Sequence, residues 1–466
     1  MSTNIHVKKL IPQLGLIGLV VFGVSYMAPG VVVATFGVIS NLSNGAAAMA
    51  YVFATGAMIL TAISYGKLAR QYPASGSIYT YARRTLGSQL GFLSGWIILL
   101  DYLFLPMVAW LITGLYFGAQ FTFLPSWAWG IIIIAFCTLV NIVGLKLADR
   151  FNRVLLLIVL LGVAVLIGFG VAFASGTDNP VSVAIWPEAA TISTIAAGAA
   201  VAAYSFLGFD AVSTLSEEVK DPKRNVPRGI VYVVLSGGIV FVLTSFVMQW
   251  AHPSLDFDNV DTAGYEVLTL VGGPVFAGVV NTTILIGGLA SCVAVQASGS
   301  RLLFVMGRDG VFPRKLFGFL HDKFRTPVFN LLLIAAIGFA GLFLTIGDAT
   351  SLINFGAFLA FAIANVCVIA LWWKSRASMP LGRNLLGFII IPVLGFAVDI
   401  YLLFQLGGLA LTIGSIWLAV GVVYLLFLTK GFRRPAPGLD VEGAERSTES
   451  AQIGTDTAVG PVPERD

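Results

Sequence analysis

The segment YSFLGFDAVSTLSEEVKDPKRNVPRGI (Tyr204–Ile230) combines features that seldom occur together in an apolar sequence. Gly208 and Asp210 interrupt a hydrophobic run, and a burst of charged residues follows at once. Glycine lets a helix break easily, and a carboxylate is costly inside lipid. The segment therefore indicates a helix that breaks within a membrane and then leaves it.

The composition of the whole chain indicates that this membrane is crossed many times. The chain has 466 residues, of which 58% are hydrophobic and 11% are charged, and its mean hydropathy is +0.91. Soluble domains carry about 25% charged residues, whereas a membrane-spanning helix needs roughly 20 apolar residues. Runs of that length recur, as in VLLLIVLLGVAVLIGFGVAFA (Val154–Ala174). We expect an all-α, multi-pass integral protein of the cell inner membrane or plasma membrane.

The apolar runs predict twelve transmembrane helices. Their expected ranges are 12–40, 46–68, 88–119, 126–145, 153–174, 191–218, 228–250, 268–303, 328–346, 350–373, 385–405 and 408–429. The eighth is uncharged from Val267 to Ser300, which is too long for one perpendicular helix and predicts tilt or an extramembrane extension. The transmembrane domain would cover 12–430, between a cytoplasmic N-terminus at 1–11 and a disordered cytoplasmic tail at 435–466.

The positions of the basic residues predict the orientation of these helices. If the N-terminus is cytoplasmic, the 27 Lys and Arg residues lie in or beside cytoplasmic segments, as the positive-inside rule requires. The outer loops are neutral or acidic, for example at Asp256, Asp258, Asp261 and Glu266. Twelve spans then place both termini in the cytoplasm.

Span one contains a second interruption, in FGVSYMAPGVVVATFG (Phe22–Gly37), where Pro29 lies between Gly23 and Gly30. An ordinary kink would explain either interruption alone. Span one starts inside and span six starts outside, five spans later. This is the arrangement of an inverted repeat whose broken helices meet around a substrate. Repeat one would cover 12–174, repeat two 191–373, and helices eleven and twelve 385–429.

Several motifs resemble those of the amino acid–polyamine–organocation (APC) superfamily. SYMAPG is similar to its unwound first helix, and YSFLGFDAV followed by EEVKDPKRNVPRGI is similar to its sixth helix and cytoplasmic exit. Two further stretches resemble this family: YPASGSIYTYARRTLG (Tyr72–Gly87) and SRLLFVMGRDGVFP (Ser300–Pro313). Four stretches resemble its bacterial putrescine importers: TAISYGKLARQYP, LLDYLFLPM, SFLGFDAVSTLSEE and INFGAFLAF. The resemblance implies the LeuT-type 5+5 fold and secondary active transport by proton symport or exchange.

Acidic residues within the spans carry the strongest chemical signal. Asp101, Asp210 and Asp399 lie within spans, and no Lys or Arg lies deep enough to pair with them. A charge at the bilayer centre costs of order 2.5–3.5 kcal/mol on insertion scales. Hydroxyl or backbone partners would satisfy such a carboxylate, and we favour that interpretation for Asp399, which lies outside the repeats. For Asp101 and Asp210 we favour a cationic amine, a proton or both, so they are the proton-coupling candidates.

The resemblance supplies further candidate binding residues. Asp210 matches the acidic position of helix six and Tyr204 its aromatic gate, while the unwound part of span one would offer backbone groups. Tyr102 shares one face of span three with Asp101, and it would replace the aromatic gate that many family members carry near Ile98. The candidate substrate-binding residues are Tyr26, Met27, Ala28, Asp101, Tyr102, Tyr204, Gly208 and Asp210.

The sequence favours a carrier over other classes of membrane protein. The histidines, His6, His252 and His321, lie outside the spans, and the sequence contains no HExxH motif and no Walker-type GxxxxGK[ST] motif. A channel would need pore-lining polarity repeated around a symmetric oligomer. We expect no enzyme activity, cofactor, metal or nucleic-acid partner. We expect proton-coupled import of a small cationic amine such as putrescine, with an amino-acid permease as the alternative; lipid and protons are the other partners.

Overall fold

The computed structural model describes residues 14–73, 77–144, 149–308, 310–376 and 384–436, without the side chains of 149–152 and Glu217. The predicted cytoplasmic N-terminus at 1–11 and the tail from 437 onward lie outside the described residues, as does Asp309 of the Ser300–Pro313 motif.

Regular structure in the described ranges is helical. The α-helices are α1 (Leu16–Met27), α2 (Val31–Leu42), α3 (Ala47–Gln71), α4 (Ile78–Leu86), α5 (Ser88–Gln120), α6 (Ser126–Val143), α7 (Asp149–Ser175), α8 (Ser182–Ile185), α9 (Ile192–Ala202), α10 (Pro222–Ala251), α11 (Ala263–Arg308), α12 (Arg314–Phe317), α13 (Val328–Gly341), α14 (Ile346–Ser375), α15 (Ile391–Phe404) and α16 (Gly408–Leu428). Three 3₁₀ segments (Ala203–Phe206, Asp210–Glu218 and Val260–Thr262) and one π-helical segment (Leu386–Ile390) complete the described elements.

Ten helical stretches of the described chain are long and apolar enough to cross a membrane, and three of them, Ile192–Ser216, Val260–Arg308 and Leu386–Phe404, combine an α-helix with 3₁₀ or π-helical segments. The bent pair α1 and α2 makes an eleventh candidate span. Helix α13 is apolar but has only 14 residues, fewer than the roughly 20 that a bilayer requires. The helix predicted over 328–346 begins at Val328 and ends at Gly341, so a ninth span at this place stays a prediction. The coarser prediction of an all-helical, multi-pass membrane protein is confirmed.

The long eighth span is divided by a break near its N-terminal end. Helix α11 has 46 residues, and Gly273 within it has a φ of 78° and is followed by Pro274. Glycine tolerates this left-handed backbone, and proline cannot donate the helical hydrogen bond. The sequence analysis predicted tilt or an extension here and did not predict this break.

Close helix packing positions the two interrupted spans. Gly238 of α10 lies against Thr55 of α3, and Gly23 of α1 lies against Val233 of α10. Small residues let helices in membranes approach closely. Helices α1, α3 and α10 thereby form a compact group, with α5, α11 and α14 packed around the interrupted spans.

Candidate functional site

The interruption predicted in span one is present. Helix α1 ends at Met27, α2 begins at Val31, and their axes differ by 54°. Ala28 has a φ of 48°, a left-handed conformation that residues other than glycine seldom adopt. Its N–H donates to the Ser25 carbonyl at 3.2 Å, and its own carbonyl accepts from the Val31 N–H at 2.9 Å. These local bonds satisfy part of the backbone that the helix break frees.

The interruption in span six is longer than the sequence predicted. The α-helix ends at Ala202, well before Gly208, and gives way to the 3₁₀ turn Ala203–Phe206. A second 3₁₀ segment, Asp210–Glu218, follows the glycine where the sequence analysis expected a regular half-helix. Irregular backbone at membrane depth needs partners from the protein. The Asn354 side chain of α14 provides one by donating to the Ala200 carbonyl at 2.6 Å.

The two interruptions touch each other at Gly208. Its φ is 109°, and a Cβ added there would overlap the ring of Tyr26. Glycine is thus required both by the backbone conformation and by the close approach of the tyrosine. This contact joins the start of the break in span one to the centre of the break in span six.

The first of three neighbouring cavities, which we call the carboxylate cavity, lies beside this contact. It is small and is lined by Tyr26, Asp101, Tyr102, Leu105, Leu207, Gly208, Asp210 and Ala211. Asp101 comes from the middle of α5, and its Oδ1 atom is buried without a hydrogen-bond partner. Backbone N–H groups of Gly208, Asp210 and Ala211 lie near the Asp210 carboxyl group, and the Ala211 N–H donates to the Gly208 carbonyl at 3.1 Å. The described lining thus contains two carboxyl groups and no Lys, Arg or His.

A second cavity adjoins the first and shares Tyr26, Leu105 and Leu207 with it. Its lining is Tyr26, Met27, Ala28, Val31, Leu105, Ala109, Tyr204, Leu207, Ser291 and Val295. Apolar side chains predominate, and the hydroxyl groups in the lining belong to Tyr26, Tyr204 and Ser291. The second cavity is suited to an alkyl chain more than to a charged group.

The third cavity is the largest of the three, and it meets the second at Ala28, Val31, Ala109, Tyr204 and Ser291. It extends among α2, α5, α7 and α11, and Leu155 and Val159 represent α7 in its lining. The sequence analysis identified no residue of this part of α7. Apolar residues of a membrane helix carry no sequence signal that separates cavity-lining from lipid-facing positions, which explains the omission.

The structure places all eight candidate binding residues in the lining of these cavities. The carboxylate cavity contains Tyr26, Asp101, Tyr102, Gly208 and Asp210, and the second cavity contains Met27, Ala28 and Tyr204 as well as Tyr26. Their role in binding stays a prediction.

The sequence analysis missed other lining residues, and the reasons differ. Leu207 lies inside the quoted span-six motif, yet its apolar side chain gave no signal. Ala109 lies two helical turns beyond Asp101 on α5, so the spacing of that face could have identified it. Ser291, a small polar residue within an apolar run, lines the second and third cavities. Asp399 lies elsewhere in the bundle, bonded to side chains of two other helices.

Comparisons with known proteins agree with a transporter over nearly the whole chain. The profile of the amino acid permease family matches residues 18–431. The low-affinity putrescine importer PlaP of Escherichia coli (strain K12) is 37% identical over 443 residues, covering 94% of this chain and 97% of the importer. The methylthioribose transporter of Bacillus subtilis (strain 168) is 29% identical over 452 residues, covering 92% and 96% of the two chains. The branched-chain amino acid permease BcaP of the same organism is 26% identical over 448 residues, covering 91% and 94%. The chain therefore belongs to the amino acid permease family, whose members are membrane transporters.

Proposed function

We propose that this protein imports a small cationic amine, putrescine or a related polyamine, by proton-coupled secondary active transport. The carboxylate cavity carries the proposal, because Asp101 and Asp210 line one small space whose described lining contains no basic side chain. An unpaired carboxylate away from water is strongly destabilised unless a cation or a proton neutralises it. The similarity to the putrescine importer supports an amine as that cation.

The shape and chemistry of the cavities suit a diamine. One ammonium group would lie between the two carboxyl groups and donate to the unpartnered Oδ1 of Asp101. The rings of Tyr26 and Tyr102 line the same space and would offer cation–π contacts. The alkyl chain would then extend into the second cavity toward Tyr204. One of the two carboxyl groups would pair with the amine while the other, Asp101 or Asp210, carries the coupled proton inward with it.

An amino acid is the alternative substrate, and the relative named as a branched-chain amino acid permease makes it worth testing. An amino acid would need N–H donors for its carboxylate group, and the break in span one contains Pro29, which has none. The two aspartates would also repel that carboxylate group. The cavity therefore favours an amine without a carboxylate.

We further propose twelve spans in two inverted five-helix repeats, 12–174 and 191–373, followed by helices at 385–429, with both termini cytoplasmic. The Leu14 N–H donates to the Glu218 carbonyl at 3.0 Å, and the Lys220 N–H donates to the Leu14 carbonyl at 2.9 Å. The start of span one therefore lies beside the end of span six. Two spans that each cross once and meet in this way run in opposite directions, which supports the inverted repeat. Helix α13 would be the ninth span, shortened to 14 residues.

Uptake into proteoliposomes tests the substrate. The purified protein would be reconstituted, and uptake of labelled putrescine measured with and without an inwardly directed proton gradient. Unlabelled spermidine, arginine, leucine and methylthioribose would be offered as competitors. We expect a gradient-dependent signal that spermidine reduces and leucine leaves unchanged. Competition by amino acids but not by polyamines would reject amine import in favour of the permease alternative.

A further inference from the structure

Asp399 forms a buried polar cluster away from all three cavities. It lies on α15 and is fully buried. The Thr61 hydroxyl of α3 and the Asn365 side-chain amide of α14 each donate to its Oδ2 atom at 3.0 Å. The Ser64 hydroxyl, one turn further along α3, donates to the Asn365 Oδ1 at 2.5 Å. Three helices that are distant in sequence therefore meet at one carboxyl group.

The donors around Asp399 are electrically neutral. The second oxygen of Asp399, Oδ1, is buried and has no hydrogen-bond partner. The titratable side chain near it on α3 is Tyr65, and α14 contributes Cys367 to the same core. Lys67, further along α3, is engaged elsewhere, with the Gly387 carbonyl and with the ring of Phe388 at 4.4 Å. Within the described part of the chain, no cation offsets a charge on this carboxyl group.

Desolvation decides which form of the acid this site holds. A carboxylate taken out of water loses far more free energy than two neutral hydrogen bonds to one oxygen return. A neutral acid avoids this loss, because its hydroxyl and carbonyl oxygens carry only partial charges. A divalent metal cation takes six or more oxygen ligands, whereas Asp399 is the one carboxyl group of this cluster, and among the described residues no group of three or more His, Cys, Asp or Glu side chains could hold such an ion.

The cluster is also connected to the broken span six. Tyr65 follows Ser64 on α3, and its ring packs against Phe209 at 5.7 Å and against Phe361 at 6.1 Å between centroids. The Phe361 carbonyl accepts a hydrogen bond from the Asn365 side chain at 3.2 Å. Phe209 directly precedes Asp210 of the carboxylate cavity. Side chains in direct contact therefore connect Asp399 to the break in span six.

We propose that Asp399 is a proton-binding site separate from the carboxylate cavity: it holds a proton in this conformation, and the neutral acid joins α3 to α14 and α15. The proposal does not depend on which substrate is carried. It assigns a bound proton to a carboxyl group that the proposed coupling at Asp101 and Asp210 leaves unused.

Infrared spectroscopy of the full-length protein in lipid tests this assignment. The C=O stretch of a protonated carboxyl group is resolved from that of a carboxylate and shifts in D2O. A background carrying D101N and D210N removes the signals of the carboxylate cavity. At neutral pH we expect a protonated-acid band in this background and its loss when D399N is added. Identical spectra with and without D399N would overturn the proposal.

Two further variants control for misfolding of the D399N protein and for overlap with the band of another carboxyl group. Thr61→Val removes one hydrogen bond to Oδ2 while leaving the acid in place, so the band should move to higher frequency without losing intensity. Asp348→Asn changes an aspartate in the first turn of α14 and should leave the band unchanged. A protonated-acid band whose frequency is the same in Thr61→Val, or a band that sodium ions abolish, would contradict a proton at Asp399.

Discussion

Asp101 and Asp210 differ in their surroundings although they line the same cavity. The Oδ1 atom of Asp101 has no hydrogen-bond partner, whereas backbone N–H groups lie beside the Asp210 carboxyl group. A hydrogen bond to a charged group contributes about 1.5–3 kcal/mol, which corresponds to roughly tenfold to a hundredfold in affinity. Asp101→Asn should therefore reduce putrescine uptake at least tenfold, and Asp210→Asn should do the same.

Initial rates of labelled putrescine uptake, measured over a range of concentrations, would check this expectation. Asp348→Asn is a matched control, because this aspartate lies outside the cavities, beside Thr345 at the start of α14. Its uptake should equal that of the unmodified protein. Near-normal, proton-dependent uptake by both cavity variants would refute the role assigned to the two carboxyl groups.

Glycine is needed at position 208 for two reasons, its left-handed backbone and its contact with Tyr26, and a comparison with Gly87 separates them. Alanine there would adopt a left-handed conformation, which costs about 1–3 kcal/mol, and its Cβ would also overlap the Tyr26 ring. Gly87 has a similar φ of 106°, but no atom within 4 Å of an added Cβ. We expect Gly208→Ala to abolish uptake and Gly87→Ala to lower only thermal stability, as measured by uptake and by a melting curve in detergent. Equal effects of the two changes would show that the Tyr26 contact is unimportant.

At the scale of single elements, the sequence identified one break more accurately than the other. Pro29 marks the break in span one, because proline removes a helical donor wherever it occurs. In span six the α-helix ends at Ala202, although the following residues, Ala203–Phe206, contain no helix breaker. Tertiary contacts direct the change: the Tyr51 hydroxyl bonds to Ser205 at 3.0 Å, and Asn354 bonds to the Ala200 carbonyl. Such contacts come from helices more than 100 residues away, so no local pattern predicts them.

The hydrogen bond from the Asn354 side chain should therefore stabilise the backbone of span six. Asn354→Leu would remove the donor and leave the Ala200 carbonyl buried without its side-chain partner, which typically costs about 1–3 kcal/mol. We expect a clear fall in the melting temperature and weaker putrescine uptake. Thr412→Val on α16 is a suitable control, because the exposed Thr412 hydroxyl bonds only within its own helix. An unchanged melting temperature for Asn354→Leu would mean that the backbone of span six does not rely on this contact.

At the scale of the whole molecule, the surface agrees with a lipid environment. Large apolar side chains are widely exposed, among them Val275 at 82% and Phe343 and Phe427 at 77%. Such exposure would be costly in water but not against lipid chains. Composition alone predicted this property, because every long helix must be apolar on its lipid face and on its packing face. The cavities could not be predicted in the same way, since they depend on which of these faces meet.

The proposed topology makes a prediction about the two ends of α10. Lys220 and Asp256 are both exposed, and the 30-residue helix Pro222–Ala251 lies between them. The proposed orientation places Lys220 in the cytoplasm and Asp256 outside. Cys137, Cys292 and Cys367 are free and buried, so they would be replaced before single cysteines are introduced. In intact cells, a membrane-impermeant maleimide should label Asp256→Cys at once and Lys220→Cys only after permeabilisation. Labelling of Lys220→Cys in sealed cells would show that the orientation is opposite to the proposed one, and it would also contradict the assignment of both termini to the cytoplasm.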